Sequence, residues 1–337
     1  MRILDNKVIL ITGGTGSFGS AFLEECLSNH NPSKIIVYSR DENKQYELSK
    51  KVDAKFPHKK QIVRFFIGDI RDLARLKMAF RDVNYVIHAA ALKHVPIAEY
   101  NPFECINTNV IGSQNVITAA LDVGVERVIA LSTDKAANPV NLYGASKLAA
   151  DKIFVAANNL VGRGDQRFSV VRYGNVLGSR GSVIPYFENL LAQGCQRLPV
   201  TDERMTRFWI TLEQGVGFVL SSFEQMTGGE IFVPKIPSMK IVDLANFMAP
   251  DVKLDFIGIR PGEKLHETMI STDDARNTFD IGDRYVVLPA ESELQGTSGK
   301  FSSAARVAEN FVYSSDLNSE WISEAHFHEL MSSVGGN

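Results

Sequence analysis

Residues 8–19 read VILITGGTGSFG. The apolar run 8–11 predicts a strand buried on both faces. It passes directly into Thr12-Gly13-Gly14-Thr15-Gly16-Ser17-Phe18-Gly19, and a helical pattern follows. Glycines 13, 16 and 19 are spaced by three. Glycine at such a junction permits a tight turn, lets backbone approach a pyrophosphate, and lets helix pack on strand. The N-terminus of the following helix offers free N–H groups and partial positive charge to phosphates. Gly13, Thr15, Gly16, Ser17, Phe18 and Gly19 are therefore candidate dinucleotide contacts. A purely structural glycine turn is the competing reading. The junction lacks the G-x-x-x-x-G-K-[ST] pattern of nucleotide triphosphatases.

Working outward, short apolar runs at 35–38, 62–67, 85–88, 128–131 and 169–172 alternate with helical patterns at 18–28, 42–56, 73–80, 107–123 and 142–157. Repeated β-α units predict an α/β fold with a doubly wound parallel sheet of Rossmann type, because parallel strands need crossovers. After about residue 174 the rhythm breaks, with strands expected at 208–210 and 231–233 and a helix at 212–225. The expected division is a dinucleotide-binding domain over 1–176 plus about 208–228, and a smaller C-terminal α/β substrate domain over 177–207 and 229–337. The stretch 289–337 is polar and serine-rich, and reads as a loosely packed tail with one or two helices.

The 337 residues are 45% hydrophobic and 22% charged, with a net charge of -3, as in a soluble globular protein. This balance argues against nucleic-acid binding, which needs a basic surface. No apolar run approaches the roughly 18 residues of a membrane span or the form of a signal peptide. Cys26, Cys105 and Cys195 form no CxxC pair, so reduced thiols and a cytoplasmic location are expected. No His/Asp/Glu cluster has metal-ligand spacing, and no metal is expected.

The second strand leads into Ser39-Arg40-Asp41-Glu42-Asn43-Lys44. An acidic side chain there suits the ribose of NAD, whereas arginine suits the 2′-phosphate of NADP. Ser39, Arg40 and Lys44 favour NADP, with NAD the alternative. Asp69 and Ile70 follow the third strand near the expected adenine. Ala89, Ala90 and Ala91 end the fourth strand with small side chains that let a cofactor lie flat.

Residues 131–147 read LSTDKAANPVNLYGASK. Tyr143 and Lys147 are four apart on a helix, hence on one face. Tyr46 and Lys50 have the same spacing but lie on the second helix, away from the carboxyl ends of the central strands where ligands of such sheets bind. Tyr143 and Lys147 are the catalytic candidates. Tyrosine, with a pKa of about 10, is a poor base at neutral pH. A neighbouring ammonium and a positive nicotinamide favour the phenolate, which can then take a hydroxyl proton.

The glycine turn together with Tyr143-x-x-x-Lys147 resembles the extended short-chain dehydrogenase/reductase superfamily over roughly residues 5–270. Within it, Ser132-Thr-Asp-Lys-Ala-Ala-Asn-Pro139, Leu92-Lys-His-Val-Pro96 and Arg260-Pro-Gly-Glu-Lys264 resemble the 5-inverting UDP-N-acetylglucosamine 4,6-dehydratases of the pseudaminic-acid type. Relatives that retain C5 carry Asp-Glu where this chain has Asp134-Lys135. The resemblance implies tightly held NADP and a homo-oligomer, dimer-based and up to a hexamer. It also implies Lys135 as the base at C5 and Asp134 as the acid at C6. A lysine can act as base where burial or nearby cations depress its pKa, and an acid keeps its proton in a poorly solvated pocket. Thr133 is expected on the C4 oxygen. The alternative for Asp134-Lys135 is a salt-bridged loop.

A UDP-sugar needs cationic and amide partners outside the cofactor cleft. Lys93 and Asn175 are expected near sugar and diphosphate, Arg260 on phosphate, Glu263 on the uridine ribose, and Arg207 closing over the nucleotide. Two other functions use the same fold. A UDP-sugar 4-epimerase needs no acid or base at C5 and C6, and a non-catalytic NADP-sensing protein needs none of the proton-handling residues.

Overall fold

The computed structural model describes residues 2–162, 164–179, 181–290, 300–301 and 303–334. Strands β1 (Val8–Thr12), β2 (Lys34–Ser39), β3 (Val63–Ile67), β4 (Tyr85–His88), β5 (Arg127–Thr133) and β6 (Arg167–Tyr173) lie parallel in the order β6-β5-β4-β1-β2-β3. Their apolar runs are covered on both faces, so β1, β2 and β5 are buried almost throughout. Helices α1 (Ser17–Asn29), α2 (Glu42–Lys55), α3 (Leu73–Ala79), α4 (Val95–Tyr100), α5 (Pro102–Ile106), α6 (Gly112–Val123) and α7 (Leu142–Ala156) supply the crossovers. Asp41, Asp72 and Asn141 start α2, α3 and α7 by accepting from the backbone N–H three residues on. The chain builds β1, β2 and β3 in one direction, then returns to place β4 on the other side of β1. The crevice between the ends of β1 and β4 is therefore the switch point where such sheets bind ligands.

The sheet runs on beyond β6. Strand Ile231–Pro234 pairs with β6 in parallel, and Arg284–Val287, Thr278–Asp280 and Ala305–Arg306 follow antiparallel, making ten strands. The expected divide at residue 229 thus crosses a continuous sheet. A second core of Leu177, Ile184, Phe187, Leu198, Trp209, Met239, Leu244 and Phe327 forms a separate apolar cluster.

Two further differences have clear causes. The expected helix at 107–123 begins as a π-helical turn, Asn107–Ile111, continuing from α5. There the Asn109 side chain bonds both the N–H and C=O of Leu92 (2.8 and 3.0 Å), ties that hydrophobic periodicity does not report. The tail is not loose where it is described: Phe301, Tyr313, Ile322 and Phe327 are buried, and Tyr313 Oη both accepts from Ile236 N–H and donates to its carbonyl. Each aromatic fills a separate groove, so no period marks them in sequence. Part of that tail, residues 291–299, 302 and 335–337, and Arg180 in the 178–182 loop lie outside the described residues.

Candidate active site

The glycine turn closes against β4. Gly13 has φ +67, and a Cβ there would come within 2.8 Å of Ala90 N. A Cβ on Gly19 would meet Gly14 Cα at 2.5 Å, so α1 can lie on the turn only with glycine at position 19. Gly16 occupies the α1 N-cap, and no side chain caps the helix, leaving its first N–H groups to a phosphate. Ser17 opens that helix, and Phe18 turns into the core. Thr15 Oγ1 and Ser39 Oγ are 2.9 Å apart, joining the turn to the end of β2. This cradle of close backbone, open helix N-terminus and small Ala89, Ala90 and Ala91 fits a dinucleotide.

At the rim, Arg40 is exposed and lies 3.8 Å from Asp69, while Lys44 pairs with Asp41 at 2.8 Å. Asp69 also receives the Arg71 guanidinium at 2.7 Å. Burial alone would raise the Asp69 carboxyl, but the Arg71 hydrogen bonds and charge, with Arg40 behind, bring it below its ordinary value. Ile70 is buried against Gly112, where a Cβ would approach it to 2.6 Å.

Five proton-handling side chains meet beyond the end of β5. Thr133 ends that strand, Asp134 and Lys135 make a single 3₁₀ turn, and α7 brings back Tyr143 and Lys147. Thr133 Oγ1 donates to Asp134 Oδ1 (2.9 Å), and Lys135 Nζ donates to the same oxygen (3.0 Å). Asp134 is fully buried, and among the described residues nothing hydrogen-bonds its Oδ2. Burial pushes the Tyr143 phenol up to about 12 despite the nearby Lys135 charge and Thr133 hydroxyl. Lys147 donates to the Leu131 carbonyl at 2.6 Å, and burial pushes its amine down against the pull of Asp151.

Two carboxylates flank Lys135. Its Nζ is 3.2 Å from Glu267 Oε1 as well as 3.0 Å from Asp134, and donates to Asn175 Oδ1 at 3.5 Å. Burial works to strip its proton, and Arg207 adds to that. The Asp134 and Glu267 charges outweigh both and hold the ammonium well above lysine's ordinary value. Burial and nearby cations were the conditions expected to make this amine basic at neutral pH. In the protein without substrate the carboxylates reverse that direction.

The other substrate candidates are spread out. Arg207 is buried, and its guanidinium donates to the Thr206, Leu265 and Lys264 carbonyls (2.6, 3.0 and 2.9 Å), which leaves little of it for phosphate. Arg260 is exposed and ion-paired with Glu263. Their loop docks on the start of α7 through Asn141 Nδ2 to the Gly262 carbonyl (2.7 Å) and Lys264 Nζ to the Ala137 carbonyl (2.6 Å). Lys93 is exposed on the loop after β4. Tyr46 and Lys50 stand on α2, the ammonium 4.4 Å over an exposed ring.

Residues 9–289 match the protein family described as polysaccharide biosynthesis protein. The chain belongs to this family. It is 56% identical over 340 residues to the UDP-N-acetylglucosamine 4,6-dehydratase (inverting) of Campylobacter jejuni subsp. jejuni serotype O:23/36 (strain 81-176), covering 99% of this chain and 100% of that one. It is 42% identical over 287 residues to the UDP-glucose 4-epimerase of Rickettsia akari (strain Hartford), covering 83% and 82%. Among solved structures, Pen from Bacillus thuringiensis superposes with a TM-score of 0.88 at 35% identity, covering 99% of each chain. Among the described residues of this family member, no three His, Cys, Asp or Glu side chains are grouped to hold a metal ion. No helix among them is long and apolar enough to cross a membrane.

Sequence reasoning missed Glu267, Lys264 and Gly144. Glu267 stands three residues after Lys264, just beyond the segment 260–264 that was singled out for its arginine and its glutamate. That i,i+3 charge pair was the available signal, but an ion pair of this spacing is commonplace on surfaces. Only the fold shows that this one is buried beside Lys135.

Proposed function

We propose that the protein is a UDP-N-acetylglucosamine 4,6-dehydratase that inverts C5, yielding a UDP-2-acetamido-2,6-dideoxy-4-hexulose. One observation carries the reading: a buried carboxyl with an unpartnered oxygen, Asp134 Oδ2, lies in the same turn as an amine, Lys135, next to the Tyr143 phenol. An epimerase has no use for that pair. The much higher, full-length identity to an inverting dehydratase than to a named epimerase agrees.

A nicotinamide dinucleotide in the glycine cradle supplies the acceptor and later the donor of hydride, between C4 and C6. Tyr143 takes the C4 hydroxyl proton, with Lys147 favouring its phenolate and Thr133 holding the C4 oxygen. The C4 ketone acidifies C5. Lys135 Nζ takes the C5 proton, the C5–H electron pair moves toward C4, and its return expels the C6 oxygen, which leaves as water with the proton held by Asp134. Hydride then adds at C6 and a proton adds at C5 on the opposite face, which gives the 6-deoxy product with C5 inverted. The pair reaches its working state without exchanging protons with water. Transfer of the Lys135 proton across 3.0 Å to Asp134 makes a neutral amine and a neutral acid together.

Ser39, Arg40 and Lys44 support NADP over NAD, since they set a hydroxyl and two cations at the end of β2. Arg260, Glu263, Asn175 and Lys93 are assigned to the UDP-sugar. The exposed Ile97, Tyr100 and Phe103 on α4 and α5 support a dimer-based homo-oligomer, up to a hexamer. The unpaired cysteines support a reducing, cytoplasmic setting. A 4-keto product suits later transamination, as in routes of the pseudaminic-acid type.

Incubating the enzyme with UDP-N-acetylglucosamine in D2O and following it by NMR tests the reading. A 4-keto-6-deoxy sugar with inverted, deuterated C5 is expected. UDP-N-acetylgalactosamine as product would establish the epimerase instead.

A further inference from the structure

Glu267 has no part in the chemistry described so far, yet it is a nearly inaccessible carboxylate, 2% exposed, among three cations. Its Oε1 lies 3.2 Å from Lys135 Nζ and 3.8 Å from Arg207 Nε, and its Oε2 lies 3.7 Å from Lys264 Nζ. Isolated charges are not buried at this depth, and here Arg207 and Lys264 help Lys135 to compensate Glu267. Arg207 is held by three carbonyls and Lys264 by Ala137, so the cations around the carboxylate are fixed in place. Strand Thr268–Ile270, which pairs with Tyr313–Ser314, follows it directly. The Glu267 N–H donates to Ser315 Oγ (2.9 Å), and its C=O accepts from Ser315 N (2.8 Å).

We propose that Glu267 is the positioning residue of the C5 base: it orients the Lys135 amine and stabilises the ammonium that forms as the C5–H bond breaks. This rests on Lys135 being that base. The logic is that of the carboxylate behind the imidazole in a serine-protease triad, which orients the base and supports its protonated form without taking the proton. Asp134 cannot serve in that way at the same moment, because it must then be neutral to release water from C6. A second carboxylate divides the labour. Asp134 exchanges the proton, and Glu267 keeps its charge throughout, balanced by Arg207 and Lys264. The groups facing Lys135 are Asp134 in its own turn, Tyr143 from α7, Arg207 from strand Thr206–Ile210, and Glu267 and Lys264 from the loop that docks on α7. Of these, Asp134 and Glu267 are the two acids holding protons on the amine.

The test compares Glu267→Gln, Glu267→Asp and Lys135→Ala in the holoenzyme, reading C4 oxidation by cofactor absorbance and C5 exchange in D2O separately. Glu267→Gln is expected to leave C4 oxidation within a few-fold while slowing C5 exchange about 100-fold. Losing one negative charge beside the pair also moves the pH profile of C5 exchange to lower pH, by roughly one unit or more. Glu267→Asp keeps the charge on a shorter arm, and should keep the wild-type pH profile at reduced rate. A purely structural Glu267 would lower both steps together with the melting temperature and leave the profile in place, and that result overturns the inference. Should Glu267→Gln fail to fold, a shifted profile in Glu267→Asp overturns it equally. Lys135→Ala separates the two ideas. Normal C5 exchange in that variant rejects Lys135 as base, whereas its loss alongside an unmoved Glu267→Gln profile rejects only the role of Glu267.

Discussion

The carbonyl oxygen of Lys135 occupies the space above Gly144 so closely that a Cβ on Gly144 would approach it to 2.3 Å. The glycine next to Tyr143 is therefore what lets the acid-base turn press onto the first turn of α7. Gly144→Ala forces the turn and helix apart, at a cost of about 1–3 kcal/mol typical of overpacking. Turnover should fall at least tenfold, with C5 exchange in D2O hit hardest because Lys135 is displaced. A variant that matches wild type in exchange rate would show that the contact does not position the turn.

Gly13→Ala should cost cofactor rather than fold. Its φ of +67 disfavours a side chain by about 1 kcal/mol or more, and the new Cβ would crowd Ala90 N at 2.8 Å. The turn must open just where backbone meets pyrophosphate. The thermal stabilisation expected from an added nicotinamide dinucleotide should largely vanish, while the melting point without added nucleotide drops only slightly.

Tyr143→Phe retains the buried ring and removes the hydroxyl. Removal of a positioned general base typically costs 10²–10⁴ in rate, so about that loss is expected in C4 oxidation. Because C5 is acidified only after C4 is oxidised, C5 exchange should fall in parallel. Persisting C5 exchange in this variant would contradict the order of steps.

His88 predicts a pH dependence of stability. Its ring lies 2.8 Å from Thr12 Oγ1 and 3.1 Å from Ser113 Oγ. Burial, with help from the Lys147 charge, lowers it from 6.5 to about 3. A base with a depressed folded pKa contributes stability above its unfolded value and loses it as pH falls from about 6.5 toward 3, by at most about 1.4 kcal/mol per unit. The wild type should therefore lose more melting temperature between pH 7 and 5 than His88→Gln does. Equal losses would remove His88 from the account.

Phe327→Ala tests the packed tail. The ring is 2% exposed and lies 5.8 Å, centroid to centroid, from Phe247 in the second core. Truncating a buried phenylalanine costs about 3–5 kcal/mol. Chemical denaturation should register it, whereas a loose tail would give a change near zero.

Much of the fold was legible because the signals are local. Each strand of the central sheet is a run of apolar residues, and the crossover helices carry their own periodicity, with caps at Asp41, Asp72 and Asn141 on three of them. The glycine turn was readable for the same reason, since three glycines at a strand end answer to a steric need stated within eight residues. The tail has an expected helix, Glu324–Val334, but its close packing was not legible, because Phe301, Tyr313 and Phe327 are buried against residues distant in the chain. Arg207 was expected to close over the nucleotide, and its burial against three carbonyls could not be known before strand Thr206–Ile210 had a neighbour.

The same division runs through the site. Sequence alone determined that Tyr143 and Lys147 share a helix face and that Asp134 and Lys135 sit in one turn, because these are consequences of covalent spacing. Only the tertiary structure decided that Glu267, 132 residues after Lys135 in the chain, would stand within 3.2 Å of its amine and set its charge. Coulomb interactions depend on distance and burial, and neither is defined until a loop from the far end of the chain has docked on the start of α7.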